Sequence, residues 1–251
     1  MQSTNPHTAP IDTPQQQRLL IKVCGMRDAD NIQQVAQLDI DLMGFVFYPQ
    51  SPRFVKMISS NAGLIPDYSE ERLRNANANQ QAPIPSAKEP QRVGVFVDEM
   101  PQTIVTRIYN HRLQYVQLHG EESPTMIDNL KRTLIPDIAP NIKVIKALSV
   151  ASKEDVARYK DYEGLADLFL FDTRCPTMGG SGKQFDWDVL GAYNGHTPFL
   201  LSGGIGPDDA ERVRQFDHPM LAGIDLNSRF ETEPGRKDVD LLRTFIQQVR
   251  S

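Results

Sequence analysis

The chain is poor in cysteine and histidine and has no long apolar run. Only Cys24 and Cys175 occur among 251 residues, and neither belongs to a CxxC. A disulfide framework and a thioredoxin-like motif are both excluded. The five histidines, His7, His111, His119, His196 and His218, form no HxxxH or HExxH pair, so no zinc site and no metal is expected. No apolar stretch approaches the ~18 residues of a membrane helix, and the N-terminus is polar. A reduced, cytoplasmic protein is expected. Basic blocks are also missing, and the net charge is −5, which argues against nucleic acid or an anionic membrane as partner. A small phosphorylated ligand stays open, because backbone amides hold an anion against a negative overall field.

What is present reads as a globular α/β chain. Hydrophobic residues make up 39% and charged residues 24%, enough for a large core in one barrel or two domains. Residues 1–18, rich in Gln, Pro and Thr, read as a disordered leader. Residues 59–91 mix Asn, Gln, Ala, Pro and Ser and read as a low-complexity surface insertion. Apolar runs predict strands at 19–23, 42–47, 93–97, 115–118, 143–148, 168–171, 198–201 and 221–224. Helical periodicity fills 28–38, 101–110, 123–134, 153–159, 207–216 and 238–249, with caps at Asp28 and Ser123. The strands are apolar on both faces, as buried parallel strands are. Eight alternating units from residue 19 to 251 predict a single (β/α)8 TIM barrel, with the polar insertion in its second helical segment. An open doubly wound sheet is the alternative.

In such a barrel, chemistry gathers at the C-terminal rim. The first run ends in Cys24, and Ser51-Pro52-Arg53 follows the second. The fourth ends in Gln117-Leu118-His119-Gly120 and the sixth in Asp172-Thr173. The seventh ends in Ser202-Gly203-Gly204-Ile205-Gly206 and the eighth in Asp225-Leu226-Asn227-Ser228-Arg229. Taken singly, each group has a bland reading. Cys24 is a small core residue or a reactive thiol. Asp172, after four apolar residues, is a desolvated general acid or a carboxylate that caps a turn or pairs with an arginine. His119 is a structural histidine or a pocket residue, and Arg53 a surface charge or a ligand. The 202–206 glycines cradle a phosphate or make a tight turn. Gly179-Gly-Ser-Gly-Lys183 lacks Walker spacing and suits a lid. Together, at equivalent strand ends, these readings shift toward function. A Cys24–Cys175 disulfide is not expected across the barrel mouth.

These residues resemble the phosphoribosylanthranilate isomerase family of tryptophan biosynthesis. The resemblance runs from about Leu19 onward. It is carried by Lys-Val-Cys-Gly at 22–25, Gly-Phe-Val-Phe at 44–47 and Ser-Pro-Arg at 51–53. Val-Gly-Val-Phe-Val at 93–97, Gln-Leu-His-Gly at 117–120, Asp-Thr at 172–173 and Gly-Gly-Ser-Gly at 179–182 continue it. Ser-Gly-Gly-Ile at 202–205, Gly-Ile-Asp-Leu-Asn-Ser at 223–228 and Glu-Pro-Gly-Arg-Lys-Asp at 233–238 complete it. It implies the Amadori rearrangement of N-(5-phosphoribosyl)anthranilate to 1-(2-carboxyphenylamino)-1-deoxyribulose 5-phosphate, without cofactor. Cys24 is then the general base and Asp172 the general acid. Arg53 meets the anthranilate carboxylate, His119 and Asp225 help place the substrate, and Gly204, Gly206, Asn227 and Ser228 hold the phosphate. The partner is a phosphorylated small molecule, and the chain works as a monomer or homodimer.

Two departures stand out. Arg229 occupies a position where the family usually has glycine, which strains an arginine if φ there is positive. The 59–91 insertion is longer than usual. Three rivals remain in view: indole-glycerol-phosphate synthase, which relies on catalytic lysines; the histidine-pathway sugar isomerase, which has an aspartate where Cys24 stands; and a non-catalytic phosphosugar-binding barrel.

Overall fold

The computed structural model describes residues 18–60, 63–66, 89–173 and 187–251. Nearly all of the expected leader, most of the 59–91 insertion, the 179–183 loop and Cys175 lie outside the described residues. In chain order the strands begin with β1 (Leu20–Val23) and β2 (Leu42–Val46). An antiparallel hairpin, β3 (Met57–Ser60) and β4 (Gly63–Pro66), opens the stretch expected to hold the insertion. Then come β5 (Gln91–Phe96), β6 (Tyr115–Leu118), β7 (Lys143–Val150), β8 (Leu168–Thr173), β9 (Phe199–Ser202) and β10 (Leu221–Leu226). A second hairpin, β11 (Glu231–Glu233) and β12 (Arg236–Lys237), follows. Strands β1, β2 and β5 to β10 pair in parallel and close: β1 bonds both β2 and β10. Closure removes the open-sheet alternative.

Helices pack outside the ring: α1 (Ala29–Ala36), α2 (Pro101–His111), α3 (Pro124–Leu134), α4 (Lys153–Val156), α5 (Ala210–Gln215) and α6 (Val239–Arg250). Several starts are fixed by side-chain caps. Asp28 accepts the Asn31 amide at 3.0 Å and Ser123 the Met126 amide at 3.2 Å, as expected; Asp238 does the same for Leu241 at 3.0 Å. Two expected helices are partly 3-10. The segment after Val156 tightens into a 3-10 turn through Asp161, and Pro207–Asp209 precedes α5 as another. A 3-10 segment at Trp187–Ala192 fills the helical position after β8, where the sequence shows only a glycine-rich loop.

Strand alternation sorts the core into two layers. Ile21, Val116, Phe169, Phe171 and Leu201 point outward and pack under the helices. Leu42, Tyr115, Ile145, Leu168, Leu170 and Leu200 fill the barrel interior. The same two-residue step carries the inward face on to Cys24, His119, Asp172, Ser202 and Asp225 at the mouth.

Behind this layer lies a buried histidine. His111 ends α2 at 1% exposure and meets the Phe47 ring edge-on at 4.6 Å. Burial, then Arg107 and Arg92, push its pKa down to about 4. The folded protein therefore holds His111 neutral, while the unfolded chain protonates near pH 6.5. Stability is fully present above that pH and is lost as pH falls toward 4, by roughly 3 kcal/mol at most. We expect the thermal midpoint to fall across this window, and less steeply in His111→Phe. Equal pH slopes in the two proteins would refute the assignment.

Candidate active site

One cavity of about 310 Å³ opens at the C-terminal ends of the barrel strands. Its wall includes Cys24, Arg53, His119, Asp172, Gly204, Asp225, Asn227 and Ser228. Cys24 and Asp172 stand three steps apart round the eight-strand ring, in the order β1, β10, β9, β8. Close to opposite, they face a common space.

The floor is ionic. Lys22 lies one inward step below Cys24 and has no exposed surface. Its Nζ donates to Asp225 Oδ1 at 2.8 Å, across the β1–β10 ladder where the two residues are register partners. Ser202 Oγ donates to Asp225 Oδ2 at 3.1 Å. Burial pulls the Lys22 ammonium down, but Asp225 and Cys24 outweigh it and hold its pKa above the ordinary value. For Cys24 the balance is reversed. Burial raises the thiol pKa, Asp225 adds to the rise, and Lys22 and Lys237 pull it back only in part. The sulfur has room because the second strand carries Gly44: a Cβ there would lie 2.7 Å from Sγ.

Arg53 is held from behind. Glu231, on β11, accepts from its Nε at 2.9 Å and also from Nη2. Lys237 Nζ reaches the same carboxylate at 2.7 Å and Asn227 Oδ1 at 2.8 Å. Burial would raise the Glu231 pKa, but hydrogen bonds from Arg53 and Lys237 bring it below the ordinary range. Glu231 occupies the Nε–Nη2 edge of the guanidinium and leaves Nη1 without a partner among the described residues. That end suits a carboxylate. Gly25, at φ 80°, lets the chain turn beneath it: a Cβ would sit 2.6 Å from Arg53 Cδ.

On the far wall His119 Nε2 lies 3.4 Å from Asp172 Oδ2, and its Nδ1 lies 3.3 Å from Gln117 Nε2. Asp172 keeps about 22% of its side-chain surface exposed, so it is less desolvated than its apolar run suggests. The His119 loop is anchored by Glu122, which accepts the Gly120 amide at 3.0 Å and pairs with buried Lys146 at 2.8 Å.

The third wall is backbone. Gly204 has φ 72°, and a Cβ built on it would meet nothing within 4 Å. Among the described residues no hydrogen bond takes up the amides of Gly204, Ile205, Ser228 or Arg229. Gly206 differs from the expectation. Its amide is spent on Asp209 Oδ2 at 2.7 Å, and it does not line the cavity. Arg229 lies in the 3-10 turn Ser228–Phe230 and is not among the residues with positive φ, so the strain considered for it does not arise.

Sequence reasoning thus brought eight of its nine residues to one cavity. It missed Glu231 and Lys237 as parts of the site. Lys237 stood inside a recognised motif, but its charged surroundings gave no sign of burial. Among the described residues, no group of three or more His, Cys, Asp or Glu could hold a metal ion, and no helix is long and apolar enough to cross a membrane.

With that geometry in hand, the comparisons agree with one another. The family model described as N-(5'-phosphoribosyl)anthranilate (PRA) isomerase matches residues 60–248. A protein of that name from Parabacteroides distasonis is 46% identical over 231 residues, covering 92% of this chain and 93% of its own. The Phocaeicola vulgatus protein of the same name is 41% identical, covering 92% and 98%. Among solved structures, phosphoribosyl anthranilate isomerase from Thermotoga maritima superposes with a TM-score of 0.66 at 31% identity, covering 92% and 98%. Another, solved with reduced 1-(o-carboxyphenylamino)-1-deoxyribulose 5-phosphate, gives 0.64 at 28% identity, again covering 92% and 98%.

The ionic floor has a testable cost. Lys22→Met leaves Asp225 buried without its cation and should destabilise the fold by about 3–5 kcal/mol in urea unfolding. The double variant Lys22→Met/Asp225→Leu should recover most of that loss. A single variant as stable as the parent would show that the pair carries no such charge balance.

Proposed function

The chain belongs to the phosphoribosylanthranilate isomerase family and carries out the Amadori rearrangement of N-(5-phosphoribosyl)anthranilate; on that premise we propose that Cys24 is its general base and Asp172 its general acid. The observation behind this reading is their placement: two proton-transfer groups on nearly opposite strands line one cavity, between a guanidinium end and a backbone-amide end.

The steps follow from that arrangement. Arg53 Nη1 receives the anthranilate carboxylate, with Glu231 fixing the guanidinium plane. The amides of Gly204 and Ser228, with Asn227 beside them, receive the phosphate. Gly206 supports their loop through Asp209. Asp172, oriented by His119, gives its proton to the furanose oxygen. The C1′–O4′ bond breaks as the anilino nitrogen lone pair forms a protonated imine. Cys24 thiolate takes the C2′ proton, and the C2′–H electrons move into the C1′–C2′ bond and neutralise the nitrogen. The enolamine then tautomerises: C1′ gains a proton and the C2′ hydroxyl loses one, leaving the aminoketone. Carbon is oxidised at C2′ and reduced at C1′, so no external redox partner enters.

Cys24 needs to lose its proton first. Lys22, with Lys237 behind it, favours the thiolate against burial and Asp225. A substrate hydroxyl donating to Asp225 would weaken its hold on Lys22 and leave more of the ammonium's field for the sulfur. This explains how Asp225 both places the ribose and tunes the base.

Every proposed residue belongs to this chain, and we propose that it works as a monomer or a homodimer. The barrel of residues 19–251 carries every proposed site residue, and the proposal assigns no catalytic role to 1–18 or 59–91. A reducing cytoplasm suits a base that works as a free thiolate.

Loss of phosphoribosylanthranilate fluorescence measures turnover directly. Cys24→Ala and Asp172→Asn should each lower kcat by about 10²–10⁴-fold, with circular dichroism unchanged. In Asp172→Asn the residual rate should climb with pH through the alkaline range, because the raised thiol pKa then limits alone. Near-parental turnover in both variants is the result that sinks these assignments.

A further inference from the structure

We propose that Arg229 adds a side-chain cation to the phosphate end of the cavity, where the amides of Gly204, Ile205 and Ser228 are neutral donors. The inference rests on reading the 204–205 and 227–229 amides as the phosphate cradle.

Three observations carry it. Arg229 lines the same cavity wall as Gly204, Ile205 and Ser228. A Cβ placed on Gly206 would lie 3.5 Å from Arg229 Nε and 3.9 Å from its Cβ, so the arginine stem passes beside that glycine loop. Among the described residues, Arg229 makes no ion pair or hydrogen bond. The cation is therefore available, and its position is not an accident of pairing with a local carboxylate. Asp209, which faces the same glycine, is itself engaged by the Gly206 amide and lies 3.9 Å from Arg212.

The chemistry is that of a phosphate monoester dianion. Backbone amides supply directed donors but no net charge. A planar guanidinium supplies both, and its fork matches two phosphate oxygens. In a chain of net charge −5, a local cation also offsets the unfavourable field that a doubly charged ligand meets. Arg229 is exposed, so it can swing onto the phosphate after the ligand is seated, closing the subsite from the solvent side. Backbone strain does not oppose this, since φ at Arg229 is not positive.

The test compares Arg229→Gln, which keeps the stem, with Arg229→Lys, which keeps the charge. Inorganic phosphate is the probe, read in two ways: as a competitive inhibitor of turnover, and as a shift in thermal midpoint that needs no turnover. In Arg229→Gln, the substrate KM and the phosphate inhibition constant should both rise about tenfold, with the effect on KM rather than kcat. The thermal shift given by phosphate should shrink, and Arg229→Lys should recover part of each effect. If phosphate protects both proteins equally and KM moves less than twofold, Arg229 plays no part and the cradle reading survives. If phosphate neither inhibits nor protects the parent, the cradle reading fails and this inference falls with it.

Discussion

A lysine without contact with water sits inside this barrel, one residue layer below the mouth. Everything above it depends on how its charge is met. Burying an unpaired ammonium costs several kcal/mol, so Lys22 requires Asp225, and Asp225 requires Lys22 and Ser202. Because Lys22 and Asp225 are register partners on β1 and β10, the pair also joins the first barrel strand to the last. Closure of the ring and the electrostatics of the cavity floor are thus one arrangement. The thiol of Cys24 lies directly on that floor, and its proton affinity is the outcome of burial set against this pair.

That coupling gives a reason for a buried ion pair where an apolar pair would stabilise at least as well. A fully apolar floor would leave the thiol with burial alone, and its pKa would move further from the working range. A lone lysine would favour thiolate but would lose its own proton to desolvation. Lysine with aspartate keeps the ammonium charged and leaves its influence on sulfur adjustable from above, through the face of Asp225 that lines the cavity. The thiol–carboxylate and thiolate–carboxylic acid forms of Cys24 and Asp172 carry the same number of protons. A pH–rate profile of the intact enzyme therefore reports the pair rather than either member.

Much of this was legible from the chain, and the parts that were not share a cause. Buried parallel strands are apolar on both faces, so the eight runs announced themselves, and the observed strands begin or end within a few residues of the expected places. Once the ring is inferred, a step of two from Leu168 and Leu170 reaches Asp172, and from Tyr115 reaches Gln117 and His119. The hairpin of β11 and β12 was invisible because Glu231-Thr-Glu-Pro-Gly-Arg-Lys237 has the composition of a surface loop. Glu231 and Lys237 are buried not by their own hydropathy but by Arg53 and Asn227, which arrive from distant parts of the chain. Gly206 misled for the opposite reason. A glycine in such a loop signals an exposed amide, yet Asp209 three residues later turns that amide inward.

The two ends of the cavity solve the same problem differently, and the difference bears on selectivity. At one end Arg53 is immobilised by a buried acid that Lys237 helps to keep ionised, so its free edge has a fixed direction. A rigid fork of this kind favours a planar carboxylate held at one angle. At the other end Gly204 lies in a glycine turn with open space before it, Ser228 opens a 3-10 turn, and Arg229 is exposed. A tetrahedral phosphate on a rotatable C5′–O bond needs less angular control and more charge. In the proposed binding mode, rigidity at the aromatic end would fix the anilino nitrogen and C1′ relative to Asp172 and Cys24, where a displacement of 1 Å can cost about a hundredfold in rate. Tolerance at the proposed phosphate end would let the ribose shift as its ring opens. The proposed acid and base lie between a fixed anchor and a compliant one, which suits a substrate that changes from a closed ring to an open chain during the reaction.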